Sequence, residues 1–351
     1  MEKRIPVGVL GATGAVGQRF IELLADHPWF EVAEVAASDR SAGKPYSQAC
    51  TWRLATALPK RIGDLVVTTT DAPFKSKLLF SGLDSSVAGE VESVLASKGH
   101  AVVSNSRNHR MDADVPLLVP EINADHLDAI AAQRKRTGGG YIVTNPNCSV
   151  VGLAMPLAPL HRAFGIEAVA VVTLQALSGA GYPGVSSMDI VDNVIPFIGG
   201  GEEEKIEVEP KKILGTWKNG AFENASFEIS ASVHRVAVSD GHTMAAMIRF
   251  KRRPSSIEET VRVLAEFKAE PQERKLPFAP ERPIHIFTED NRPQPRLDRD
   301  RERGMAVSVG RVRADKLFDL KLEALVHNTI RGAAGVAILN GELLHARGLL
   351  S

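Results

Sequence analysis

Seven residues constrain this chain more than any others: Gly11-Ala-Thr-Gly-Ala-Val-Gly17. They follow a short apolar run, Ile5–Leu10, and precede an amphipathic stretch at 18–26 in which Phe20, Leu23 and Leu24 share a face. A second apolar run occupies 32–37. Strand, glycine turn, helix, strand is a βαβ unit, and parallel strands joined in this way imply a doubly wound α/β sheet. Glycines there allow a tight turn and let the backbone approach a pyrophosphate, while the helix N-terminus supplies free amides and partial positive charge. The spacing is G-x-x-G-x-x-G rather than the strict G-x-G-x-x-G, so a turn that serves packing alone also fits. Further strands are expected at 65–69, 77–81, 101–104 and 141–144, with a helix at 86–98. The first domain therefore runs to Asn147.

Composition removes several alternatives. At 351 residues the chain suits about two domains. Lysine plus arginine and aspartate plus glutamate each number 42, so nothing draws the chain generally to nucleic acid or to an anionic membrane. No apolar run approaches the roughly 20 residues of a membrane span. Two cysteines, Cys50 and Cys148, cannot build a disulfide framework. The glycine turn begins too early for a signal peptide to precede it, and a cytoplasmic protein is expected. No histidine pair has helical ligand spacing with a carboxylate, so no metal site is expected.

Beyond Asn147 the texture changes. A helix is expected over 149–164 despite Pro156 and Pro159, then longer strands at 169–176, 226–238 and 244–251 with antiparallel character. Ser255-Ser-Ile-Glu258 resembles a capping box opening a helix to about residue 269. The second domain is thus α+β. Residues 271–303 contain six prolines, and 292–303 mixes five arginines with three acids. That segment reads as a solvated loop or as an arm at a subunit interface. Residues 329–347 form a helix that returns to the first domain.

Chemistry concentrates in a few places. The second strand ends Ala36-Ala-Ser-Asp-Arg-Ser41, with Lys44 nearby. Hydroxyls and a guanidinium suit a 2′-phosphate, and Asp39 opposes one only if it faces inward, so NADP is favoured over NAD. In Thr144-Asn-Pro-Asn-Cys148 a thiol sits where a strand ends and a helix begins. Such a position lowers a thiol pKa from about 8.5 to roughly 3.5–7.5, although a free cysteine is as often a small buried hydrophobe. A thiolate beside a nicotinamide suggests aldehyde oxidation through a covalent thioester, or its reverse. That chemistry needs a proton acceptor and a binder for the acyl acceptor. Arg235 and His242 flank a Ser-Asp-Gly turn and could reach one cleft, with His234 alternating away. Gly201-Glu-Glu-Glu-Lys205 places Glu202 and Lys205 at i, i+3, which also fits an exposed charged turn. Gln175-Ala-Leu-Ser-Gly-Ala-Gly181 ends a strand in a small-residue turn that could pass close to a flat ring.

Together these motifs resemble the aspartate-semialdehyde dehydrogenase family, in the branch found in archaea and fungi. The ordered set spans nearly the whole chain: the glycine turn, Asn-Pro-Asn-Cys148, Gln175-Ala-Leu-Ser-Gly-Ala-Gly, Gly-Glu-Glu-Glu-Lys205, Arg235 seven residues before His242, and His327-Asn-Thr-Ile-Arg-Gly-Ala-Ala-Gly335. The resemblance implies a Rossmann-type domain, 1–147 with about 328–351. It also implies an α+β catalytic and oligomerisation domain, 148–327, like the C-terminal domain of glyceraldehyde-3-phosphate dehydrogenase. It implies NADP-dependent reductive dephosphorylation of L-4-aspartyl phosphate to L-aspartate 4-semialdehyde, on the way to lysine, threonine, methionine and diaminopimelate, by a homodimer or homotetramer.

The same resemblance assigns roles. Cys148 would be the nucleophile, His242 the proton donor or acceptor, and Gln175 would orient the substrate. Arg235 would clasp the substrate carboxylate and Glu202 its amino group, while Lys205 and Arg110 would bind phosphate. Gly11, Thr13, Gly14, Ala15, Val16, Gly17, Ser38, Ser81, Ser178, Gly179 and Asn328 would contact NADP. Three successive glutamates leave the register at Glu202 open. Arg107 competes with Arg110, whose distance to Asn123 fits the family better. A malonyl-CoA reductase of the same branch and a catalytically silent NADP-binding sensor are the alternatives.

Overall fold

A computed structural model describes residues 4–350 and contains two principal sheets. The first is wholly parallel: β1 (Ile5–Leu10), β2 (Phe30–Ala36), β3 (Leu78–Ser81), β4 (Ala101–Ser104) and β5 (Tyr141–Thr144), in spatial order 2-1-3-4-5. Strand order reverses between β1 and β3, which opens a crevice at their carboxyl ends, the place where such sheets bind ligands. The glycine turn lies at that crevice and leads into the helix Ala15–Leu24. Residues 65–69, expected as a strand, make only isolated bridges, Thr68 to Ala36 and Val66 to Pro45. The run is rich in strand-forming residues, but it meets no continuous partner beyond the β2 edge.

The expected C-terminal return is present. A π-helical turn, Ile330–Ala334, leads into the helix Gly335–Ala346, and Ile338, Leu339 and Leu343 share a core with Val7, Phe20 and Phe80. Each such side chain contributes about 1.5–3 kcal/mol by burial, so this helix is integral to the first sheet's packing.

The second sheet is mixed. Its seven strands run Ile284–Ile286, Val307–Ala314, Leu320–Val326, His242–Phe250, Ile166–Gln175, Glu228–Arg235 and Ile195–Pro196. Antiparallel character is expected of the strands at 169–176, 226–238 and 244–251, but Glu228–Arg235 runs parallel to Ile166–Gln175. The chain between those two strands passes through the helix Glu202–Ile213, and a crossover of this kind returns a strand in the same direction. Against the sheet packs the helix Cys148–Phe164. Thirteen of its seventeen residues are buried, and that packing outweighs the roughly 3 kcal/mol that an interior proline such as Pro156 or Pro159 costs.

Two local expectations shift. The capping box begins at Ser256, whose hydroxyl accepts the Glu259 amide, while Glu259 receives the Ser255 amide at 2.7 Å. The helix then stops at Ala265. Residues 271–303 are not a loose loop: Ile284–Ile286 is an edge strand, and buried Asp298 pairs with Arg292. Among the described residues no helix is long and apolar enough to cross a membrane, and no cluster of histidine, cysteine, aspartate or glutamate could hold a metal.

Candidate active site

Cys148 is the first residue of its helix. Asn147 caps that helix, its Oδ1 accepting the Ser149 amide at 2.9 Å and the Val150 amide at 3.3 Å. The sulfur opens onto a cavity of about 280 Å³ shared with Val16, Arg110, Ser178, Gly179 and Asn328. Helix and glycine turn therefore meet at one cavity, across the two sheets.

Burial pushes the Cys148 thiol up to about 12, helped by the Glu202 carboxylate and opposed by Arg110, Arg235 and the Ser149 amide. This corrects the expectation of a sulfur already ionised by its helix N-terminus. One row of amides at a helix end does not outweigh enclosure in protein with a carboxylate close by.

His242 begins the strand His242–Phe250 and is wholly buried, its Nε2 3.2 Å from the Cys148 sulfur. Burial drives its pKa down to about 3, with Arg235 and His327 adding to the effect. On the far side of the ring, Nδ1 accepts the Ala176 N–H at 3.0 Å. A nitrogen that accepts carries no hydrogen, so the neutral ring bears its proton on Nε2, a tautomer assigned from this bonding. His242 thus presents a donor to the sulfur.

Around this pair lie the other residues singled out from sequence. Gln175 donates to Glu202 Oε1 at 3.1 Å, and Asn147 donates to the same oxygen at 2.8 Å. Lys205 reaches Glu202 Oε2 at 3.2 Å. Glu203 instead accepts the Val233 amide and Glu204 is exposed, so Glu202 alone of the three turns into the site. Arg235 is buried and donates to the Ala176 carbonyl at 2.6 Å, beside His242. Arg110 lines the Cys148 cavity, whereas Arg107 is exposed and touches the Gly200 carbonyl.

The opposite wall belongs to the glycine turn. A Cβ on Gly17 would sit 2.2 Å from the Gly11 carbonyl oxygen, so this glycine serves close helix–strand packing. Gly14 caps the Ala15–Leu24 helix with no side-chain bond to its first amides. Ala15 and Val16 line the Cys148 cavity, and Thr13 and Gly14 line the adjoining cleft. Asn328 ties the walls together, donating to Ser178 Oγ at 2.8 Å and accepting the Gly241 amide at 2.8 Å. A Cβ on Gly179 would lie 2.8 Å from Arg235 Nη1 and 3.0 Å from the His242 ring, so a side chain there would press on both residues. Ser38 is exposed at the end of β2, with Asp39 and Arg40 beside it. Ser81 is buried, and its hydroxyl donates to Glu92 at 2.6 Å rather than standing free for a ligand. Uncapped amides at a helix N-terminus, facing an open groove, suit a dinucleotide pyrophosphate; the residues present fit a nicotinamide cofactor.

Sequence reasoning overlooked Asn147 and Glu209. Asn147 could have been found as the natural N-cap residue directly before a helix-opening cysteine. Glu209 stands seven residues after Glu202, on the same helix face.

Comparison with known proteins agrees with this arrangement. Residues 6–130 match the semialdehyde dehydrogenase NAD-binding domain and residues 157–331 the semialdehyde dehydrogenase dimerisation domain. Aspartate-semialdehyde dehydrogenase from Schizosaccharomyces pombe is 48% identical, covering 98% of this chain and 99% of its own length. The enzyme of that name from Methanothermobacter thermautotrophicus is 49% identical, covering 97% and 99%. The crystal structure of aspartate-semialdehyde dehydrogenase with NADP from Candida albicans superposes with a TM-score of 0.91 at 45% identity, covering 99% of each chain. On these grounds, the chain belongs to the aspartate-semialdehyde dehydrogenase family.

Proposed function

We propose that this chain is an NADP-dependent aspartate-semialdehyde dehydrogenase that converts L-4-aspartyl phosphate to L-aspartate 4-semialdehyde through a thioester on Cys148. The observation that carries the reading is the Cys148 sulfur 3.2 Å from His242 Nε2, in a cavity that Arg110 and the glycine-turn helix also line. Arg235 holds the substrate carboxylate, a geometry that a guanidinium fork matches. Glu202 meets the substrate ammonium, Gln175 orients the acyl group, and Arg110 with Lys205 binds the phosphoryl oxygens.

The sulfur attacks the acyl carbon, and the thiol proton passes to the departing phosphate; the thiolate freed at the end of the cycle takes a proton back from solvent. The carbon–oxygen bond to phosphate breaks, and its electron pair leaves with the phosphate toward the two cations. NADPH, when bound, supplies the hydride that reduces the thioester. The resulting oxyanion accepts a hydrogen bond from His242 Nε2–H, a donor already aimed at the reacting centre. Collapse then breaks the carbon–sulfur bond and releases the aldehyde. In this scheme His242 is an electrostatic donor that never needs a second proton. An inward-facing Glu202 also disfavours a malonyl thioester, which has no amino group to meet it.

Residues 1–147 with about 328–351 make up the cofactor-binding part in this reading, and 148–327 the catalytic and oligomerisation part. Met188, Val191, Val194 and Phe197 are exposed along the segment that enters the edge strand Ile195–Pro196. Exposed apolar side chains in such a row suit burial against a second copy, and we assign the chain a homodimer or a dimer of dimers in the cytoplasm. Purified protein given semialdehyde, phosphate and NADP is expected to generate NADPH absorbance. Cys148→Ala is expected to lower that rate about 10⁴-fold, as loss of a covalent nucleophile does. A fully active alanine variant, or turnover of malonyl-CoA alone, would overturn the reading.

A further inference from the structure

The helix Glu202–Ile213 carries four ionisable side chains at i, i+3, i+7 and i+10: Glu202, Lys205, Glu209 and Lys212. At helical pitch these fall within one stripe. The proposed reaction uses the first two. Glu209 and Lys212 are buried more deeply and do not line the Cys148 cavity.

Both converge on Arg110, from opposite ends. Glu209 Oε1 accepts Arg110 Nη1 at 2.9 Å, and its Oε2 accepts the Asn147 amide at 2.7 Å. Lys212 Nζ donates to the Arg110 carbonyl at 2.8 Å, and to the carbonyls of Asp112 and Val115 at 2.8 and 2.9 Å. Arg110 Nη2 donates to the Asn105 carbonyl at 3.1 Å, which leaves the buried Nε without a partner. Arg110 also lines the Cys148 cavity, and a buried guanidinium there is suited to an anion.

We infer that Glu209 and Lys212 are positioning residues for the phosphoryl group: Glu209 orients the Arg110 guanidinium and Lys212 fixes the backbone that carries it. This rests on the proposed reaction, with phosphate as co-substrate. Charge-assisted bonds hold the fork in one plane before phosphate arrives, which reduces the ordering that binding would otherwise require. The Asn147 side chain is held by the Ser149 amide and by Glu202, bonds that do not involve Glu209, so the effect of its removal on the sulfur is expected to be small.

The test separates the two half-reactions. With semialdehyde and NADP but no phosphate, the NADPH burst reports thioester formation alone; adding phosphate reports its release. Glu209→Ala is expected to raise KM for phosphate about tenfold, equivalent to about 1.4 kcal/mol, and to leave the burst rate within about twofold. Glu209→Gln retains one acceptor oxygen but loses the charge; it is expected to raise the same KM about threefold, and it serves as the reporter if the alanine variant does not fold. An unchanged KM for phosphate, or an equal fall in burst and phosphate-dependent rate, would overturn the inference while leaving the proposed function standing. Absence of any burst from the wild-type protein would instead remove the proposed function itself.

Discussion

The two walls of the active-site cavity are built by different means. On the glycine-turn wall the backbone does the work: Gly14 opens a helix with no side-chain cap, and Gly17 lets that helix press on the turn. On the facing wall, buried charges hold one another. Glu202 gathers Asn147, Gln175 and Lys205, and Glu209 links Arg110 to the residue before Cys148. The first wall depends on the absence of side chains, and the second on their mutual neutralisation. Damage to each should therefore read out differently, as stability on one side and as chemistry on the other.

The largest contrast is expected from Gly17→Ala. A methyl group 2.2 Å from the Gly11 carbonyl oxygen has no space, and overpacking of this kind costs about 3 kcal/mol. Urea denaturation should show the midpoint falling, with the Cys148–His242 pair untouched in whatever protein remains folded. A variant of wild-type stability would erase the distinction between the walls.

A smaller effect sharpens the chemical wall. Burial raises the Cys148 pKa to about 12 in the free protein, so the thiol is neutral at physiological pH and its thiolate fraction climbs as pH rises. The rate of Cys148 alkylation by iodoacetamide, followed by peptide mass, should increase about tenfold per pH unit between pH 7 and 9. It should show no inflection from His242, which burial holds far below that window. A plateau reached below pH 8 would mean a pre-formed thiolate, and the donor role assigned to His242 would need to be replaced by an ion pair.

This contrast also explains what could be read from sequence. The glycine turn, the C-terminal return and the position of Cys148 are local: each is a strand, turn or helix boundary written in adjacent residues. His242 at the start of its strand was legible for the same reason. The strand expected at 65–69 failed because propensity does not reveal whether a partner is present, and only Thr68 and Val66 find one. The direction of Glu228–Arg235 failed because it depends on a crossover about fifty residues long. The ionisation of Cys148 was misjudged because helix-end amides are visible in sequence, whereas the Glu202 carboxylate and the enclosure around the sulfur arise only on folding. Arg107 and Arg110 looked alike for the same reason: Glu209, which distinguishes them, lies 99 residues from Arg110.

The central claim is a covalent acyl group on one sulfur, and it can be weighed directly. Protein mixed with aspartate semialdehyde and NADP in phosphate-free buffer should form about one NADPH per active site. Intact-mass and peptide analysis of the quenched sample should find the aspartyl group on Cys148. Steady turnover on addition of phosphate, with Cys148 unmodified throughout, would contradict the account.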